Sequence, residues 1–326
     1  MPALSDRGLA ARLLADLLPD HGPVGSARPL EGGSVSGVCG VSFTDPAVPD
    51  VVLKLAPAAD AWMARKEAYA YRLLETHGIG PIPRVLAEAD DVELLDGASC
   101  VVLSILPGRP LGEIAPDLTP VQRRQVYRQL GALLARIHAV PMDGFGYIIA
   151  GILDPAPDNA SYMARAFARG LREYREAGAD DRIADAIGRT VAEHGAVFAD
   201  CPAPVLCHGD FHEHNILVEQ GRDGEWNVSG LIDPANLHAG DPLVDLVRTD
   251  AFCMQGDEAK LAGLLEGYGP GGDRWPAAWA PRMRLYGILL ALELRNWFAE
   301  REPQHVPALD EQLRDLAENP PSTVRR

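Results

Sequence analysis

Lysine is almost missing from this chain: Lys54, Lys66 and Lys260 are the whole complement, against 30 − 3 = 27 arginines. With 46 acidic residues the net charge is −16 and the pI is near 4.9. Such a balance lacks the basic face that a nucleic acid or an anionic membrane requires, and it excludes both as expected partners. Cysteine is sparse too. The five cysteines (Cys39, Cys100, Cys201, Cys207, Cys253) are odd in number and form no C-x-x-C pair, which speaks against a disulfide framework and for reduced thiols in a cytoplasmic protein. No basic region followed by an apolar core opens the chain, so no signal peptide is expected. The best apolar run, Leu285 to Leu292, is far too short to cross a bilayer. No internal repeat is present. What remains is a chain of 326 residues, 47% hydrophobic, which is globular in composition and long enough for two lobes with separate cores.

The informative stretch is Leu206-Cys207-His208-Gly209-Asp210-Phe211-His212-Glu213-His214-Asn215-Ile216-Leu217-Val218. Asp210 and Asn215 are 215 − 210 = 5 positions apart, the spacing of the kinase catalytic loop H-R-D-x-x-x-x-N with Gly209 in place of Arg. A second acid follows in Leu231-Ile232-Asp233-Pro234. Phosphoryl transfer calls for these residue types: one carboxylate to orient a hydroxyl and accept its proton, and an Asn and an Asp to hold Mg²⁺ against phosphates. A metallohydrolase is the competing reading. His208, Asp210, His212 and His214 are metal-ligand types at alternating positions, with His238 as a downstream candidate. That reading leaves Asn215 and Asp233 without a purpose.

His208-Gly209-Asp210 with Asn215, then Ile232-Asp233, Gly240-Asp241-Pro242 and Asp245-Leu246, resembles the aminoglycoside phosphotransferase family of protein-kinase-like small-molecule kinases. The motif block covers roughly residues 206–246, with weaker matches over most of the chain. The family usually has an aromatic residue after the second Asp, where this chain has Pro234. The resemblance implies an α+β, bilobal, protein-kinase-like fold: an antiparallel-sheet N-lobe over residues 1–106 and a mainly helical C-lobe over 107–326, with ATP between them. Asp210 would be the catalytic base or orienter and His208 its support, while Asn215 and Asp233 would bind Mg²⁺. Asp245 would brace the loop backbone.

Lys54 sits inside the apolar run Val51-Val52-Leu53-Lys54-Leu55, where a charge is costly unless paired. Kinases place there a lysine for the phosphates, oriented by a Glu of the following helix. Residues 60–76 read as that helix, with Glu67 the expected partner and Glu75 the runner-up. The connection Glu31 to Gly37, containing Ser34, is rich in Gly and Ser, and could present backbone N–H groups to phosphates or simply close a hairpin. Cys100 to Leu106 reads as a buried strand ending at Pro107-Gly108-Arg109-Pro110. In the family this break is the interlobe hinge, so backbone at Ser104 and Leu106 would meet adenine and Leu103 would face the pocket.

Further helices are expected over 5–18, from Thr119-Pro120 onward, and over 160–177, 181–198, 257–268 and 281–300; strands are expected over 27–31, 38–43 and 84–88, with an acidic turn from Ala89 to Gly97. The expected activity is ATP- and Mg²⁺-dependent O-phosphorylation, GTP not being excluded as donor. The expected acceptor is a small, cationic, hydroxyl-bearing molecule, an aminoglycoside or related amino-sugar antibiotic. Glu213, Asp241 and Glu293 are the candidate substrate carboxylates. A metabolite kinase for choline, a sugar or an amino alcohol stays open beside it, as does a non-catalytic nucleotide-binding protein. The motifs leave the oligomeric state undetermined.

Overall fold

A computed structural model describes residues 7–30, 37–269, 272 and 274–318. The first half of the chain runs α1 (Arg7–Leu17), β1 (Val24–Pro29), β2 (Gly37–Phe43), β3 (Val51–Ala56), α2 (Ala61–Thr76), β4 (Val85–Val92), β5 (Ala98–Ser104), β6 (Arg109–Pro110), α3 (Leu111–Ile114), α4 (Pro120–His138), β7 (Phe145–Ile148) and β8 (Ile152–Ala156). It continues with α5 (Asn159–Glu176), α6 (Asp181–His194), β9 (Val205–Cys207), β10 (Ile216–Gln220), β11 (Trp226–Leu231), β12 (His238–Gly240), α7 (Leu243–Thr249), α8 (Glu258–Tyr268), α9 (Ala280–Arg301) and α10 (Val306–Glu318). Contacts gather these into two compact units: Met1–Gln129 with Ile148–Gly151 and Glu213–Leu237, and Leu130–Tyr147 with Ile152–His212 and His238–Arg326.

The first unit is built on an antiparallel sheet of order β1-β2-β3-β5-β4. Alternation along β3 divides its side chains between the two faces. Val51, Leu53 and Leu55 join Leu9, Leu13 and Leu14 of α1 in one apolar cluster. Val52 packs instead with Val101, Leu103, Ala68 and Tyr71, beneath α2. This unit reaches past the lobe boundary placed at residue 106, because β6 pairs with β10 (Leu217↔Pro110, Val218↔Arg109) and β10 with β11. Gly108 permits the approach: its φ is 104°, and a Cβ there would lie 2.3 Å from Ser229 Oγ.

Two strands depart from the expected bounds. β1 starts at Val24 rather than 27, since Val24 already pairs with Phe43 across a bulge. β4 runs on to Val92, through residues read as an acidic turn, because Glu88 and Ala89 pair with Val101 and Cys100 and Glu88 meets Arg72 at 2.8 Å. Strand pairing from a distant part of the chain overrides local composition there.

The second unit is mainly helical, with a small sheet of order β8-β7-β12-β9. Helix α9 is its core: Leu285, Tyr286 and every residue from Ile288 to Leu292 are buried, with α5, α7 and α10 packed against it. The apolar run of the sequence is therefore an internal helix, apolar almost all round because it is covered almost all round. Among the described residues no helix is long and apolar enough to cross a membrane. Helix starts follow side-chain chemistry. At α4, Thr119 and Gln122 cap one another reciprocally ahead of Pro120. Asp158, Asp180 and Asp257 accept N–H groups at the starts of α5, α6 and α8.

Candidate active site

In the first unit β3 brings Lys54 to α2. Lys54 Nζ donates to Glu67 Oε1 at 2.6 Å and lies 3.8 Å from Asp233 Oδ1. Burial works against the ammonium charge, but Glu67 and Asp233 outweigh it and raise the Lys54 pKa. Glu75, the other candidate partner, is exposed in the last turn of α2. Tyr71, one helical turn after Glu67, is buried, and its hydroxyl accepts the backbone N–H of Asp233 at 3.0 Å. Burial raises the Glu67 pKa, and Lys54 and the Tyr71 hydroxyl oppose that rise. Asp233 itself is left-handed (φ 56°, ψ 59°), an unusual conformation for a residue with a Cβ and doubly so before Pro234. Its carboxylate is 40% exposed. Asn215 is buried immediately before β10, and its carbonyl accepts the N–H of Ile232 at 2.9 Å. Lys66 is also buried, 5.9 Å over the Trp62 ring; burial pulls its pKa down to about 7 against the opposing charge of Asp233.

In the second unit β9 pairs with β12 and delivers the chain into the loop His208-Gly209-Asp210-Phe211-His212. Gly209 has φ 76°, so glycine is suited to the place where the pattern puts Arg. The loop is held from below. Asp245, wholly buried on α7, accepts the N–H of His208 at 2.6 Å and of Gly209 at 2.7 Å, and its Oδ2 lies 3.1 Å from His138 Nε2. Burial alone would raise the Asp245 carboxyl. The hydrogen bond and charge of His138, with His238 and His208 nearby, outweigh it and hold the pKa well below the carboxylate range. Thr249 Oγ1 donates to Phe211 O at 2.9 Å, and Phe211 stacks edge-on against the buried His208 ring. Asp210 is thereby presented with its side chain 26% exposed, 3.4 Å from His212 Nε2. Burial pushes its pKa up, while the hydrogen bond from His212 and the charges of His212, His208 and Arg248 prevail and lower it.

The candidate substrate carboxylates are each engaged inside their own unit. Asp241 is 1% exposed; its carboxylate accepts from Arg282 at 2.7 Å, Tyr286 at 2.9 Å and the Leu243 N–H at 3.0 Å. Glu293 pairs with Arg248 at 2.7 Å, and its pKa is raised because burial exceeds the pull of Arg248 and Arg169. Glu213 accepts from the buried Tyr127 hydroxyl. Arg248 was not singled out by the sequence, and nothing local marks it.

Of the hinge candidates, Leu103 is buried in the cluster beneath α2, and the Ser104 N–H is donated to Arg84 O at 2.9 Å. Ser104 and Leu106 line a cavity of about 390 Å³ with Ile105, Arg84, Asp50 and His21. None of Lys54, Glu67 or Asp233 touches that cavity, so the nucleotide is not assigned to it. Ser34 lies outside the described residues.

The metal-type side chains within mutual reach, among the described residues, are His138, Cys207 and Asp245. They are not the set a hydrolase reading needs (His208, Asp210, His212, His214, His238). Asp245 moreover already serves two backbone N–H groups and His138.

The family model of the phosphotransferase enzyme family (APH) matches residues 27–286. The aminoglycoside 3'-phosphotransferase of Streptomyces fradiae is 27% identical over 212 residues, 61% of this chain and 69% of that protein. Among solved structures, a thermostable mutant of the aminoglycoside phosphotransferase APH(4)-Ia in ternary complex with AMP-PNP and hygromycin B superposes with a TM-score of 0.70, at 20% identity over 96% of this chain and 99% of that one. A putative fructosamine-3-kinase from Haemophilus somnus gives 0.66 at 14% identity, over 94% and 96%. The fold is protein-kinase-like, and the chain belongs to the phosphotransferase enzyme family, whose reaction here has an alcohol group as acceptor.

Proposed function

We propose that this enzyme transfers the terminal phosphoryl group of ATP, with Mg²⁺, to a hydroxyl of an aminoglycoside or related amino sugar. The observation that carries the ATP and Mg²⁺ reading is the Lys54–Glu67 ion pair beside Asp233. Lys54 is kept charged and aimed by Glu67, and would hold phosphate oxygens as a compact point charge. Asn215 and Asp233 fit Mg²⁺ by donor chemistry: an amide and a carboxylate offer the hard oxygens that ion prefers, one just before β10 and the other just after its neighbour β11, with the Ile232–Asn215 hydrogen bond between them. Bound there, the ion would offset negative charge on the phosphates.

Asp210 would accept the acceptor hydroxyl's proton as the oxygen attacks. Its lowered pKa suits it more to orienting that hydroxyl than to deprotonating it in advance. His208 would keep the loop in shape from beneath, through its backbone bond to Asp245 and its packing on Phe211. Catalysis of this kind rests on positioning and electrostatic stabilisation.

The amino-sugar part of the proposal is supported by the Streptomyces fradiae relative and by the net charge of −16. A second reading, a metabolite kinase of the same fold, is favoured by a specific observation: Asp241, Glu293 and Glu213 are all bonded within the protein. An ATP-consumption screen over antibiotics and small metabolites, followed by initial rates at several NaCl concentrations, separates them. A polycationic acceptor should show a KM that rises clearly towards about 0.5 M salt, because its long-range attraction is screened beyond about 8 Å at physiological ionic strength. A salt-independent KM, or a preferred neutral or anionic acceptor, selects the metabolite kinase.

A further inference from the structure

Asp233 stands in a conformation that its own sequence opposes. A left-handed φ is strained for a residue with a Cβ, and a following proline disfavours helical backbone further. Pro234 also has no N–H with which to anchor the turn. The backbone here is fixed from other directions: Leu231 N–H bonds Pro81 O at 2.9 Å, Ile232 N–H bonds Asn215 O at 2.9 Å, and Asp233 N–H bonds the Tyr71 hydroxyl at 3.0 Å.

The Tyr71 bond differs from the other two. Its acceptor is a side chain from α2, four residues after Glu67 and so on the same helix face. Tyr71 is almost fully buried, and its ring is locked among Ala68, Val101 and Leu103, so the hydroxyl has a fixed place. One oxygen can accept from Asp233 N–H while its proton goes to a carboxylate.

We propose that Tyr71 is a positioning residue of the phosphotransfer reaction: its hydroxyl sets the backbone at Asp233, and thereby the metal-binding carboxylate, from the same helix face that aims Lys54 through Glu67. This rests on the reading of Asp233 as a Mg²⁺ ligand. The consequence is coupling. Residues that hold phosphate and the residue that holds the metal share one support, so loosening the hydroxyl bond should weaken metal binding without touching any ligand atom.

Tyr71→Phe in the full chain keeps the ring and removes only the oxygen. Mn²⁺ titration followed by electron paramagnetic resonance, in the presence of ADP, is the direct readout. The metal Kd should rise about 10-fold, as for loss of a group that orients a ligand. The Mg²⁺ concentration for half-maximal rate should rise by a similar factor, with most of kcat recovered at saturating Mg²⁺. The thermal midpoint should fall by no more than about 2–4 °C. In the Asp233→Ala background, adding Tyr71→Phe should change metal affinity no further, because the two act as a unit.

Wild-type Mn²⁺ affinity in Tyr71→Phe, with weakened affinity in Asp233→Ala, would overturn the role of Tyr71 while leaving the metal assignment standing. Wild-type affinity in Asp233→Ala would remove that assignment and this proposal with it. A Tyr71→Phe chain that failed to fold would assign the hydroxyl to stability and would equally overturn it.

Discussion

Asp210 is the acid whose neighbour, His212, is most readily removed. His212 lies 3.4 Å from the Asp210 carboxylate and is the leading influence that lowers its pKa against burial. In the proposed reaction Asp210 works as the carboxylate, so activity should persist on the acid side until Asp210 takes a proton below its ordinary range. His212→Ala removes both a hydrogen bond and a positive neighbour, and the Asp210 pKa should rise. The acid limb of the kcat/KM profile should then move to higher pH, with little change near neutrality. A limb unmoved by the substitution would show that His212 does not govern Asp210. The sequence displayed Asp210, Asn215, Asp233 and Lys54 because their spacing and setting are local and chemically demanding. Tyr71 and Arg248 stayed hidden, since each matters through a partner far along the chain: Asp233 for Tyr71, Glu293 for Arg248. The one local signal for Tyr71 is its spacing from Glu67, four residues on along α2, which puts both on one helix face.

The loop from His208 to His212 is an element whose shape depends on one carboxylate beneath it. Asp245 offers an oxygen to each of two consecutive N–H groups, and both bonds are buried. Asp245→Asn would set an amide NH₂ against one of those N–H groups and leave a buried donor unsatisfied. The expected loss of stability is roughly 3–5 kcal/mol in denaturant titration, the range for breaking a buried charged pair from one side. The folded-state pKa of Asp245 lies below its unfolded value near 3.9. Its contribution is therefore complete above that value and disappears only as pH falls through the lower, folded one. The difference between wild type and variant should stay constant from neutral pH down to about pH 5 and shrink in stronger acid. A difference that vanished already at pH 6 would place the stabilisation elsewhere. Helices were largely legible in advance because their caps and apolar spacing are written within one segment, as at Thr119-Pro120-Val121-Gln122. Strand limits were less so: Glu88 and Ala89 are extended through their pairing with Val101 and Cys100 of β5, and β4 resumes at Val92 after an irregularity in which Asp91 has φ 50°.

For the molecule as a whole, family membership and the protein-kinase-like fold give phosphoryl transfer to an alcohol. In the proposed reaction Asp210 is the group that touches the acceptor. The direct measurement is phosphorus NMR of the enzyme with ATP, Mg²⁺ and the acceptor found by screening, run in parallel with Asp210→Asn. For the wild type a new phosphate monoester resonance should grow in step with ADP formation. In the folded Asp210→Asn enzyme its rate should be lower by roughly 10²–10⁴. A monoester formed at near wild-type rate by Asp210→Asn, or ATP turnover that yields only inorganic phosphate with every hydroxyl compound offered, would contradict it.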